Sequence, residues 1–266
     1  MSEKLSYQTE AAAAGYDGAF SHVSNHFVPL LLHAARLRPG EKVLDIATGT
    51  GIAAEAALAV VGASGSVVAA DISPEMVAKA RQRLGQTPNA SVAVEDGQAL
   101  SFLDETFDVV LCSLGLMFFP DPARGLSEFR RVLAPGGRAA ISVAAPSPSL
   151  SYNGRINVVL ARYVPSLAAT NDRYFAVGEA ARLLSLFDSA GFVDVETHTR
   201  QHNFTLPSFD AFYGPFERGA GSTGQALVAL PKEVRHAIRE EVRRELNDTG
   251  GPVVVTTGIR IATGRR

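Results

Sequence analysis

Val43-Leu44-Asp45-Ile46-Ala47-Thr48-Gly49-Thr50-Gly51, the stretch VLDIATGTG, decides how the rest of the chain is read. Its first half is a short apolar run of the kind that forms a buried strand, and its second half is a turn carrying two glycines. Glycine at 49 and 51 lets the backbone turn tightly and approach a ligand closely, because no Cβ intervenes. The Ala-rich run from Ile52 to Val61 then reads as a helix. Strand, glycine turn and helix in that order open a βαβ unit.

The alternation continues outward. Downstream, Ser66 to Asp71 (SVVAAD) is a second strand, and Ser73-Pro74-Glu75 marks a helix start, with serine as cap and proline in the first turn. A third strand is expected at Ala90 to Val94 and a fourth at Phe107 to Cys112 (FDVVLC). A helix from about Ala123 to Leu133 is expected to stop at Pro135-Gly136-Gly137, before a fifth strand from Arg138 to Val143. Upstream, apolar residues recur at helical spacing from His22 to Leu37, and Pro39-Gly40 ends that run. Strands alternating with helices imply parallel crossovers and a doubly wound α/β sheet.

Beyond residue 143 the rhythm breaks. Residues 146–176 are helical and aromatic-rich, a helix is expected near Val177 to Ala190, and a strand at Val193 to Phe204. A second helical stretch at 207–249 precedes a last strand, Val253 to Ala262. Two late strands separated by an insertion suit an antiparallel pair at one sheet edge. Asp194, Glu196, His198, Arg200 and His202 alternate by period two, as on the solvated face of an edge strand. The expectation is one domain over 1–266 built on a seven-stranded doubly wound sheet with its last strand antiparallel. Within it, 1–38 is an N-terminal helical segment, 40–143 the core, and 146–176 and 207–249 cap insertions.

Composition narrows the partners. The 266 residues are 46% hydrophobic and 20% charged, a globular balance, with a formal net charge of −2. A nucleic-acid partner is not expected, because phosphate binding needs clustered Lys and Arg. Cys112 is the only cysteine, so neither an internal disulfide nor a cysteine-based zinc site is possible. The N-terminal MSEKLSYQTEAAAAGYDGAF lacks a basic region followed by a long apolar run, and no stretch approaches the roughly 20 apolar residues of a membrane span. A cytoplasmic location is expected.

In open α/β sheets ligands bind beyond the carboxyl ends of the strands. Strand two ends in Asp71, whose carboxylate can accept two hydrogen bonds from a ribose diol. Strand three leads into Glu95-Asp96-Gly97-Gln98, and strand four into Cys112-Ser113-Leu114. VLDIATGTG, VVAADIS (67–73), EDGQAL (95–100), FDVVLCSLGLMFFPD (107–121) and LAPGGR (133–138) stand in the order and spacing of the class I methyltransferase family. The chain resembles that family, and within it the small-molecule branch that includes the UbiE-like quinone C-methyltransferases. Ala47 stands where many members carry the first glycine of the loop.

The resemblance implies S-adenosylmethionine as methyl donor and a small-molecule acceptor, a hydrophobic or aromatic metabolite of quinol-like kind. It places Gly49 and Gly51 beneath the donor, Asp45 on its methionine ammonium, Asp71 on the ribose hydroxyls, Ile72 and Met76 around the adenine, and Asp96 on the adenine amino group. Ala47, Thr48, Gly97, Gln98 and Ser113 complete the implied set, with Tyr16 on an N-terminal segment that closes over the donor. It names no catalytic side chain, and no metal ligands are expected.

Gly49-x-Gly51-x-x-Ala54 with Asp71 twenty residues beyond Gly51 also matches a dinucleotide fingerprint, so an NAD(P)-dependent oxidoreductase is the rival reading. A non-catalytic S-adenosylmethionine-binding module is another. Against the oxidoreductase stands Asp45, which at the mouth of the loop would repel a pyrophosphate. Cys112, at the end of an apolar strand, reads as a packed thiol rather than a nucleophile. His22 and His26, four residues apart, can bind a metal or act as a base, but read first as helix packing. Of Phe118, Phe119, Tyr152, Tyr174, Phe175, Phe212, Tyr213 and Phe216, about half are expected in the core. The rest are expected to line an acceptor pocket, with Phe212, Tyr213 and Phe216 in it.

Overall fold

In the computed structural model, which describes residues 10–266, the run Lys42–Ile46 forms strand β1 with every residue after Lys42 buried. A strand hidden on both faces belongs mid-sheet. β1 pairs in parallel with β2 (Ser66–Asp71) on one side and β4 (Phe107–Ser113) on the other, so that Val43 lies beside Val67 and Val109. β3 (Ala90–Val94) extends the sheet beyond β2, and β5 (Leu133–Ala144) lies beyond β4. β7 (Val253–Arg265) runs antiparallel to both β5 and β6 (Val193–Leu206), giving the order β3-β2-β1-β4-β5-β7-β6. The seven-stranded doubly wound sheet read from the sequence is the fold observed.

Local chemistry sets the element ends. Helix α2 (Ile52–Val61) turns Ile52, Ala53, Ala54, Ala57 and Val61 inward. Ser73 caps α3 (Pro74–Leu84), its hydroxyl accepting from the Met76 amide at 3.2 Å, and the Asp121 carboxylate caps α4 (Pro122–Val132) through the Arg124 amide at 3.1 Å. Three boundaries differ from expectation. Helix α1 occupies Glu10–Ala34, beginning well before His22, while residues 1–9 of the expected N-terminal segment lie outside the described residues. Pro135-Gly136-Gly137 does not precede β5 but sits inside it, because the partner register jumps between Phe107–Leu133 and Val109–Arg138 and the extra residues loop out. Asp194, at φ 51, occupies the register shift between Val193 and Glu196 and so leaves the period-two face.

Apolar layers cover both faces of the sheet. On one lie α1, α2, α5 (Gly154–Tyr163), α8 (Phe209–Glu217), α9 (Gly221–Val228) and α10 (Lys232–Glu245). On the other lie α4, α6 (Ser166–Ala176) and α7 (Ala180–Ser189). α5 packs on α10, and α1 packs on α8 and α9, which draws both late helical stretches toward the N-terminal helix. Among the described residues no helix is long and apolar enough to cross a membrane.

Candidate active site

The parallel registers bring the carboxyl ends of β1, β2 and β3 level, so the loop Ala47–Gly51 faces the turns after Asp71 and Val94. The Thr48 amide donates to the Ala70 carbonyl at 3.0 Å, and the Gly49 amide donates to Asp71 Oδ2 at 2.9 Å. The other Asp71 oxygen accepts from the Ser73 amide at 2.9 Å. Asp71 therefore ties two turns together. Burial pushes its pKa up, against the pull of the Ser73, Gly49 and Ile72 amides.

These turns form one end of a cavity of about 300 Å³, within the range of small-molecule sites. Of the residues expected around the donor, Tyr16, Ala47, Thr48, Gly49, Asp71, Ile72, Met76, Asp96, Gly97, Gln98 and Ser113 line it. Glu95, in the same turn as Asp96, lines it too, and so do Thr50, Ile52, Leu114 and Met117, to which the sequence assigned no role. Glu95 turns its carboxylate onto Ser101, accepting from its amide at 2.9 Å and its hydroxyl at 2.5 Å. Asp96 Oδ1 accepts from the Gln98 amide at 2.9 Å.

Asp45 and Gly51 do not line the cavity. Asp45 is fully buried behind the loop, where Thr48 Oγ1 donates to its Oδ2 at 2.5 Å. Burial pushes its carboxyl up to about 7, although the Thr48 bond opposes the shift. The carboxylates that line the cavity are those of Asp71, Glu95 and Asp96, not that of Asp45. The two glycines also separate. A Cβ at Gly49 would meet nothing within 4 Å, whereas a Cβ at Gly51, whose φ is +87, would stand 3.2 Å from Cα and Cβ of Ala80. Gly51 lets α3 pack against the loop; the expectation that a side chain there would fill donor space is corrected.

Helix α1 forms the roof. Tyr16, Phe20, Val23, Ser24 and Val28 face the cavity along it. Asp17 latches this helix in place: its Oδ1 accepts from Thr50 Oγ1 at 2.5 Å and its Oδ2 from Arg83 at 2.8 Å. Burial, with the Asp71 and Asp17 carboxylates nearby, pushes the Tyr16 hydroxyl up to about 12.

The far end is aromatic. Phe118, Tyr152 and Tyr174 line it, with Phe118 and Tyr174 edge to face at 5.2 Å between centroids, whereas Phe119 lies against Gly97 in the turn that carries Asp96. Phe175, Phe212, Tyr213 and Phe216 are buried in the core and do not line this cavity. The expectation that Phe212, Tyr213 and Phe216 meet the acceptor is therefore corrected: α8 is amphipathic and turns this face into the layer beneath α1. Polar handles come from Ser24, Ser151, Asn153 and Thr257, of which none was singled out in the sequence. Cys112 is a fully buried thiol whose pKa burial drives up, as a core residue's would be. His22 and His26 lie outside the cavity wall. His22 stands edge-on to Tyr152 and Phe204, and His26 stacks on His202 at 3.8 Å. Among the described residues no three His, Cys, Asp or Glu side chains are grouped to hold a metal ion.

A family model for a methyltransferase domain matches residues 43–137, the segment that builds the loop, Asp71 and the turn at Asp96. The ubiquinone/menaquinone biosynthesis C-methyltransferase UbiE of Cellvibrio japonicus is 35% identical over 184 residues, 63% of this chain and 73% of its own length. The chain belongs to the class I S-adenosylmethionine-dependent methyltransferases. Another relative of this methyltransferase, the nocamycin O-methyltransferase of Saccharothrix syringae, is 31% identical over 255 residues, 88% of this chain and 89% of that one. Phosphoethanolamine N-methyltransferase 2 of Haemonchus contortus, solved with S-adenosylhomocysteine, shares the fold at a TM-score of 0.62 and 16% identity, covering 98% of this chain and 58% of that one. The methyltransferase uses S-adenosylmethionine, and the dinucleotide oxidoreductase reading falls.

Proposed function

We propose that this methyltransferase transfers its methyl group to a hydrophobic, ring-bearing small molecule of quinol-like character. The observation that carries the reading is the two-ended cavity. One end is turns and carboxylates, and the other is walled by Phe20, Phe118, Tyr152 and Tyr174. Apolar and aromatic walls with a few polar groups suit an uncomplicated ring. The UbiE relative, named for ubiquinone/menaquinone biosynthesis, supports this reading.

The residues present fit the donor. The open space over Gly49 admits close approach, and Asp71, held by two backbone amides, keeps lone pairs for a ribose diol. Ile72 and Met76 supply apolar surface for the adenine, and Asp96 an acceptor for its amino group. Asp45, sealed behind Thr48, acts on the donor's ammonium only through the loop it supports. S-adenosylmethionine supplies a methyl group already activated on a sulfonium. The chain's part is alignment and exclusion of water, which Tyr16 and Phe20 on the roof and Phe118 and Tyr174 on the wall provide. A base is needed only where the acceptor must lose a proton.

The test is incubation with methyl-labelled donor and two acceptor panels, one of benzo- and naphthoquinols, one of amino acids and phosphorylated amines. Label is expected in the quinol extract. Label confined to the polar panel would remove this acceptor class.

A further inference from the structure

Thr257 lies on β7 opposite His202 of β6 and is among the residues that line the cavity. It is 4% exposed, and its Oγ1 has no hydrogen-bond partner. Buried hydroxyls are normally satisfied, and leaving one unpaired costs on the order of 1–3 kcal/mol. A rotation of about 120° about χ1 exchanges hydroxyl and methyl in a threonine without moving the backbone.

Charge is the second, independent observation. Asp71, Glu95 and Asp96 line the cavity, and among its described lining residues there is no Lys, Arg or His. An anionic ring would meet no protein cation there and, with S-adenosylhomocysteine bound, no sulfonium either, and burying an unpaired charge is expensive. From these two features, and resting on the reading that the aromatic end holds the acceptor, we propose that the acceptor is an uncharged ring whose hydrogen-bonding group is read by Thr257 Oγ1. Valine has the same shape without the hydroxyl, so Thr257→Val separates recognition from packing. A hydroxyl kept for structure makes the valine variant less stable. A hydroxyl kept for a ligand leaves its stability equal or higher, because an unsatisfied group has gone.

The experiment measures binding of three probes at pH 8 to enzyme saturated with S-adenosylhomocysteine: 2-naphthol, naphthalene and 2-naphthoate. Wild type is expected to bind 2-naphthol about fivefold tighter than naphthalene, the order of one neutral hydrogen bond. It is expected to bind 2-naphthoate at least about tenfold more weakly than 2-naphthol. In Thr257→Val the preference for naphthol over naphthalene should fall to about one while naphthalene and S-adenosylhomocysteine bind as before; Thr257→Ser should retain it. A preference that survives in the valine variant overturns the role of Thr257. Naphthoate binding as tightly as naphthol, or no ring binding at all, overturns the acceptor class. Failure of S-adenosylhomocysteine itself to bind strikes instead the donor placement on which the proposal stands.

Discussion

The two ends of the cavity are built by different means. At the donor end, one contiguous segment supplies the wall, and backbone does much of the work: amides of Gly49 and Ser73 fix Asp71, and Gln98 fixes Asp96. At the other end, side chains from α1, the turn after β4, the segment before α5, α6 and β7 converge, and no two of these segments are adjacent in sequence. The first arrangement is local and repeats wherever the same turns occur. The second depends on how α8 and α9 dock beneath α1 and how α5 packs on α10. It follows that damage to the packing of α8 and α9 should cost stability first, while damage to the turns should cost donor affinity first.

The sharpest break in this comparison is Phe216→Ala. Phe216 is fully buried and packs edge to face with Phe20, which lines the roof. Chemical denaturation should show a loss of about 3–5 kcal/mol, with affinity for S-adenosylhomocysteine unchanged. A donor affinity that falls with it would show that the two ends are not separable.

Next comes pH. The folded-state pKa of Asp45 is raised from 3.8 to about 7, so its contribution to stability is fully present below about 4 and is lost as pH rises through about 7. Asp71 is shifted in the same direction. Denaturation midpoints should therefore fall between about pH 5 and pH 8, and Asp45→Asn, which cannot ionise, should flatten that slope. A slope identical in the variant would place the titration elsewhere.

Asp71→Asn should weaken S-adenosylhomocysteine by about 1–3 kcal/mol in calorimetry, because a neutral amide accepts through one atom where the carboxylate accepts through two. Little change in affinity would move the ribose away from Asp71. The smallest effect is expected at Ala47, held at φ 55. Ala47→Gly relieves a left-handed alanine and should raise stability by about 0.5–1 kcal/mol, with a gain of a few degrees in thermal melting. A loss would show that the alanine methyl packs usefully against Gly115, where a Cβ would lie 2.4 Å from it.

What the sequence determined by itself was the order of strands and helices to Ser113 and the ring of turns at their ends. Those features rest on short-range chemistry: buried runs such as Lys42–Ile46, the Ser73 cap with Pro74 behind it, and the acid at the end of β2. Tertiary structure decided the rest. Gly49 and Gly51 are alike in sequence, yet one opens on the cavity and the other packs on Ala80, which depends on where α3 lies. Asp45 reads as a site carboxylate but is sealed behind Thr48. Phe212 and Phe216 are indistinguishable by pattern from Tyr152 and Tyr174; two enter the core and two line the cavity. Thr257 carries no sequence signal, because period-two alternation places it among ordinary strand residues until β7 lies under α1. Periodicity reports which residues are buried, whereas which buried surface borders a cavity is fixed only by the elements packed against it.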